Sequence, residues 1–213
     1  MIVVISEPRC EPIYLADARR WLGLTDDNDT DQDPEIWAIL RALREYAEKR
    51  TGRRFVDQEL ELNLDCWPDW IVELPVAPIV SIDYVRYLDT NGELQTFYDG
   101  TVSPTIGADQ VWLDIKSQPG RLQPAYGGRW PILRGGDFNA VQIGFTAGYG
   151  TGGSPEDLSV IPKQLQLWLR YRLAGHFEQR EPIVIGDRGQ VNQVPESNLD
   201  ALLSGLTLGR RVS

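Results

Sequence analysis

The chain has 213 residues, long enough to bury a core without disulfide staples. Asp and Glu number 31 against 21 Lys and Arg, a formal net charge of −10. That balance argues against a protein that grips a phosphate backbone, because such binding is driven by Lys and Arg displacing counterions. Hydrophobic residues make up 42 %, with seven Trp and eight Tyr, a folding composition and not a disordered one. Cys10 and Cys66 are the two cysteines. They allow one bridge at most and exclude a four-cysteine zinc site, so free thiols in a reducing compartment are expected. Met1-Ile2-Val3-Val4-Ile5 is short for a signal-peptide core and has no basic lead-in. No apolar run approaches the roughly 20 residues that span a bilayer, so a soluble chain without an export signal is expected.

The first zone, residues 1–52, reads helical. Leu15 to Leu22 forms a short amphipathic stretch ending near Gly23. An acidic loop follows, with Asp26, Asp27, Asp29 and Asp31. Asp33 is placed as an N-cap with Pro34 at the first helical position. Ile36, Leu40, Leu43 and Ala47, joined by Ile39, mark one apolar face, and Gly52 is the natural stop.

The second zone, residues 53–148, reads as a β-rich insertion of about six antiparallel strands in a meander. Leu60, Leu62 and Leu64 alternate with polar residues, the period of a half-buried strand. Ile71 to Leu74 is a short strand closed by Pro75 and Pro78. Ile79 to Leu88 and Glu93 to Tyr98 flank Asn91-Gly92, a strong hairpin signal. Val111 to Ile115, Arg121 to Leu122 and Val141 to Thr146 complete the set.

The third zone, residues 149–213, is helical again after a glycine-rich joint at Gly148 to Pro155. Pro162 opens a helix to about Gln179. Leu165, Leu169, Leu173 and Phe177 share one face with Trp168 beside them, and Leu167, Tyr171 and Ala174 form a second stripe. A helix apolar on two sides is usually covered on two sides. Ser197 or Asn198 is expected to cap a last helix with Leu199, Leu202, Leu203 and Leu206 on one face, before Arg210 and Arg211. The fold class is therefore α+β, with the helical zones packed together around a β-rich insertion. The alternative is two separate helical caps on a sheet.

Catalytic readings fare poorly. His176 is the sole histidine, so a Ser-His or Cys-His mechanism must use it; its place on the apolar helix predicts a packed, hydrogen-bonded structural residue. Metal sites needing two histidines are excluded, and no metal or cofactor is expected. Asp29, Asp31 and Asp33 have the one-three-five spacing of a calcium loop, but Pro34 and Leu40 stand where Gly and Glu are needed. A solvated acidic loop ahead of a helix is the better reading. The Gly148 to Gly153 run lacks the Gly-Lys-Ser/Thr ending of a phosphate loop. Trp67-Pro68-Asp69-Trp70 could face a sugar, but such tryptophans more often cover a sheet edge.

The order of segments points elsewhere. Glu11-Pro12-Ile13-Tyr14-Leu15-Ala16-Asp17-Ala18 with Trp21-Leu22 comes first, then Arg44 to Arg53 and Leu74 to Ile82. Gln118-Pro119-Gly120-Arg121-Leu122-Gln123-Pro124-Ala125-Tyr126-Gly127 with Trp130-Pro131 is the most specific stretch. Val141 to Gly150, Pro162 to Leu165, His176-Phe177-Glu178 and Arg180-Glu181 follow. In this order and spacing the chain resembles the head-tail connector, or adaptor, proteins of long-tailed bacteriophages and gene transfer agents. The resemblance implies a non-enzymatic virion protein at the head-tail junction, made in the host cytoplasm. It implies a homo-oligomeric ring, normally of twelve copies, between the portal protein and a stopper or tail protein. DNA would pass through the lumen without specific binding, and the C-terminal segment would contact the portal.

The residues fit that expectation. An acidic ring repels a passing polyanion. The second stripe, Leu167, Trp168, Tyr171 and Ala174, suits contact between adjacent subunits of a closed ring. Leu199, Leu202, Leu203 and Leu206, with Arg210 and Arg211, suit docking into a portal groove. The alternatives are another neck protein, such as a stopper or tail-end protein, or a carbohydrate-binding or hydrolytic domain using Trp67, Trp70 and a carboxylate pair.

Overall fold

The computed structural model describes residues 1–24, 26, 30–100, 111–151, 157–178 and 196–209. In chain order the elements are β1 (Ile2–Ser6), α1 (Leu15–Trp21), α2 (Asp33–Thr51), β2 (Gln58–Leu64), β3 (Val72–Glu73), β4 (Ile79–Leu88), β5 (Leu94–Tyr98), β6 (Val111–Asp114), β7 (Arg121–Pro124), β8 (Val141–Ala147), a 3-10 turn (Asp157–Val160), α3 (Lys163–Glu178) and α4 (Glu196–Ser204). The chain is α+β, with two antiparallel sheets. It divides into a β unit, Met1–Pro8 with Gly52–Thr151, and a helical unit, Arg9–Thr51 with Gly152–Ser213.

In the β unit, one sheet has the order β1-β2-β8-β4-β5 and the other β3-β7-β6. This is not a meander. The hairpin β4–β5 forms where Asn91-Gly92 predicts it, with Gly92 at φ 82. However, β2 skips the strands that follow it, β3 to β7, and pairs with β8. The opening segment, read by sequence only for export, is a strand: β1 pairs with β2, Ile2 opposite Leu62 and Val4 opposite Leu60.

One apolar row crosses the larger sheet. Leu60 and Leu62 of β2 lie opposite Phe145 and Ile143 of β8, which lie opposite Ile82 and Val85 of β4. All six are buried. The spacing of three between Ile79, Ile82 and Val85 has a physical cause. β4 carries two register shifts against β8. Each supplies one extra residue and flips the side-chain phase, so residues that simple alternation would send to opposite faces all point inward. Val72 and Leu122 of the smaller sheet join the same core, as do Leu74 and Val111.

On the opposite face of the larger sheet, Gly144 sits between Glu61 and Tyr84. The Tyr84 ring lies where a Cβ on residue 144 would stand. Its hydroxyl donates to Glu61 Oε2 at 2.5 Å, and the Arg86 guanidinium lies 4.2 Å from its ring centre. Burial first, then the Glu61 carboxylate, pushes the Tyr84 phenol up to about 12.

In the helical unit, α2 packs on α3, α1 touches both, and α4 lies against α2 and α3. Ile36, Leu40, Leu43 and Ala47 are buried, as the helical period predicts. The helix opens at Asp33 itself, one residue before the expected start, and the Asp33 carboxylate binds the Arg19 guanidinium. Gly52, at φ 71, follows its last residue. Arg44 is buried between two carboxylates, Glu11 at 2.8 Å and Glu48 at 3.3 Å. Burial pushes the Glu11 carboxyl up against the opposing pull of Arg44. A buried cation between two anions is stable only while all partners remain. No helix among the described residues is long and apolar enough to cross a membrane.

Candidate functional site

The chemistry available in the described residues is that of surfaces. His176, expected to be packed, is exposed in the last turn of α3. The buried face of that helix runs through Leu165, Leu169 and Leu173, and at the end of the helix Phe177 is only half-buried. No group of three or more metal-ligating side chains gathers among the described residues. A groove of about 180 Å³ in the helical unit is lined by Pro12, Tyr14, Asp17, Lys163, Gln166 and Arg170, among others. Its lining holds no histidine or cysteine.

The second stripe of α3 divides. Trp168 is fully buried and stacks parallel to Tyr46 of α2, ring centres 6.0 Å apart. It is a core residue of the helical unit, which corrects its placement on an outward stripe. Its position beside the Leu165–Leu169–Leu173 face explains this. Leu167 and Tyr171 keep 38 % and 44 % of their surface exposed, and Ala174 is half-buried. Tyr171 meets Trp21 of α1 edge to face at 5.9 Å, and the Arg170 guanidinium lies 5.7 Å from the Trp21 ring centre. In sequence, Trp21 enters the family resemblance but is assigned to no contact surface. It closes the α1 apolar stretch and is 43 % exposed.

The C-terminal helix divides as well. Leu203 is fully buried, whereas Leu199, Leu202 and Leu206 are half-buried. The helix starts at Glu196, so Ser197 and Asn198 fall inside its first turn and not at its cap. Asp200 fastens it to the unit. Its carboxylate accepts from Arg172 at 3.0 Å and Trp168 Nε1 at 3.4 Å, and Arg50 of α2 stands 3.7 Å away. Burial alone would raise the Asp200 carboxyl, but these donors and charges outweigh it and hold it below the ordinary range. The Leu208 amide donates to the Thr51 carbonyl at 2.9 Å, fixing the end of this segment beside the end of α2. Arg210 and Arg211 lie outside the described residues.

Of the acidic loop, Asp26 and Asp31 are described and exposed, while Asp27 and Asp29 lie outside the described residues. The Asp26 carbonyl accepts from Arg19 at 2.5 Å. One arginine thus holds both Asp26 and the start of α2.

Trp67 and Trp130 pack against the core of the β unit, while Trp70 is exposed. Trp67 and Trp130 stack at 4.2 Å, 5° from parallel, so one face of Trp67 is already occupied. Trp67 Nε1 donates to the Pro131 carbonyl at 3.0 Å and Trp130 Nε1 to the Trp70 carbonyl at 3.1 Å. Phe97 adds a tilted contact to Trp130 at 5.7 Å.

Three solved chains with the same fold belong to gene transfer agent particles. A chain of the neck of an empty GTA particle computed with C6 symmetry matches with TM-score 0.72 and 23 % identity, over 99 % of this chain and 96 % of that one. A chain of the virion of a native gene transfer agent (GTA) particle gives 0.71 and 20 % over the same shares. A chain of the neck of a native GTA particle computed with C12 symmetry gives 0.67 and 21 %, again over 99 % and 96 %. No protein-family model and no curated protein matches the sequence.

Proposed function

We propose that this chain is a structural neck protein of a phage-like or gene transfer agent particle, specifically a head-tail connector (adaptor) subunit. Copies close into a ring, with twelve the expected number, between the portal and the stopper or tail protein. The observation that carries this reading is the likeness of fold, over nearly the whole length of both chains, to chains of GTA necks. The role is one of contact and passage, without catalysis.

The physical properties of the chain support that role. A formal charge of −10 per copy, multiplied around a ring, makes a lumen that DNA crosses without being trapped. The half-exposed strip of Trp21, Leu167 and Tyr171 is the proposed contact to an adjacent subunit. The half-buried Leu199, Leu202 and Leu206 are the proposed portal-facing surface, with Leu203 as the anchor that seats α4 on its own unit.

Electron microscopy of the particle that carries this chain tests the reading. Density for the chain in a ring below the portal is the expected result. Its absence from the particle, or its location away from the neck, would overturn the reading. A ring at the tail-facing end of the neck would select the stopper alternative.

A further inference from the structure

The connection between β7 and β8, residues 125–140, is long and irregular, yet its backbone is pinned at many points. Trp130 and Pro131 are held by the stacked tryptophan pair and its two indole hydrogen bonds. Arg134 grips Asp137 through two bonds, 2.7 and 2.9 Å. The Asn139 amide donates to Asp65 Oδ1 at 2.9 Å. Between these anchors two large apolar side chains face solvent, Ile132 at 78 % and Phe138 at 84 % exposure. Both far exceed the exposure of the half-covered strip on α1 and α3.

A loop that spends tryptophans on its own support and points Ile132 and Phe138 outward is preorganised for contact. Fixing the loop in advance removes much of the ordering entropy that binding would otherwise oppose, and exposed apolar groups of this kind mark interaction surfaces. Its charge differs from that of the whole chain. Residues 126–139 hold Arg129, Arg134 and one acid, Asp137, in a molecule of net −10.

We propose that this loop docks, through Ile132 and Phe138, onto a second copy of this chain. The inference rests on the ring reading above and names one of its contact surfaces. Copies of a strongly acidic chain repel one another, so their contact belongs where one side is apolar and locally basic. In a closed ring each contact joins two different patches, and this loop with its exposed Ile132 and Phe138 supplies one of them against a neighbour of net negative charge.

Sedimentation equilibrium of the full chain over a wide concentration range tests this, with wild type beside Ile132→Asp, Phe138→Asp and the double variant. Because both side chains are exposed, thermal unfolding should stay at the wild-type temperature. Self-association should weaken by about ten-fold or more. Association unchanged in the double variant would overturn the loop contact while leaving the neck reading to the particle image. A wild-type chain that stays monomeric throughout would overturn it too. So would wild-type binding to phosphatidylcholine vesicles that is lost in Phe138→Asp, which would make the loop a membrane contact.

Discussion

The Tyr84 hydroxyl donates a 2.5 Å hydrogen bond to the Glu61 carboxylate across the strand that carries Gly144. Only a residue without a side chain leaves room for the ring to cross. Gly144→Ala is expected to lose about 1–3 kcal/mol, the usual range for overpacking. In a double-mutant cycle with Tyr84→Ser the loss at 144 should shrink, because the obstructing ring is gone. Urea unfolding measures all four corners of the cycle, and strict additivity would refute the coupling.

The same pair predicts behaviour at high pH. The Tyr84 phenol titrates near 12 in the folded chain against 10.0 for an ordinary tyrosine. A raised folded value means the unfolded chain gives up this proton first. The stabilisation is therefore complete below about pH 10 and is lost as pH rises toward 12. Burial also pushes the Tyr98 phenol up, so ultraviolet titration of tyrosinate should show late-ionising phenols, one fewer in Tyr84→Phe.

Arg44 predicts the largest single loss. Arg44→Met would leave Glu11 and Glu48 facing each other in the core, at a cost of about 3–5 kcal/mol. Burial already pushes the Glu11 carboxyl up, and removing the cation pushes it further. The deficit should narrow as pH falls from 7 to 5 and that carboxyl takes up a proton. Denaturant midpoints of both chains at the two pH values are the check, and a deficit that widened would contradict it.

The seating of α4 depends on Asp200. Its depressed carboxyl contributes stability above the ordinary carboxylate range, and this is lost as pH falls through the folded value. Asp200→Asn should speed hydrogen exchange of the amides from Glu196 to Leu208 while leaving those of β2 and β8 unchanged.

Two leucines on that helix should separate seating from docking. Leu203→Asp buries an unpaired charge and should cost several kcal/mol, on the order of the penalty for such groups. Leu202→Asp meets water on one side, and should keep the fold and weaken capture by purified portal rings. Unfolding of Leu202→Asp would return the whole helix to the core.

Local patterns carried most elements into view. The Asn91-Gly92 hairpin, the Leu60–Leu62 alternation and the Ile36-to-Ala47 face each depend on neighbours a few residues away, and each stands as read. The pairing of β2 with β8 does not depend on neighbours. Leu60 meets Phe145, and nothing near either residue in sequence signals the other. The same limit hid β1, an apolar run whose meaning comes only from Leu60 and Leu62 beside it. For the candidate surfaces, periodicity could group Leu167, Trp168, Tyr171 and Ala174, and Leu199 with Leu202, Leu203 and Leu206. It could not say which member of each group its own unit would enclose, because that depends on residues of other elements, Tyr46 of α2 against Trp168, and Trp168 and Arg172 of α3 against Asp200 of α4. Ile132 and Phe138 lie in a glycine-rich stretch without period, where sequence gives no direction to a side chain.

The division of the chain has a consequence for its synthesis. The β unit is complete once residue 151 has been made, but the helical unit is assembled from residues 9–51 and 152–213. On the ribosome, α2 must wait with the surface that meets α3 uncovered until α3 emerges more than a hundred residues later. That interval of bare apolar surface is where a nascent chain is most open to aggregation and to holding chaperones.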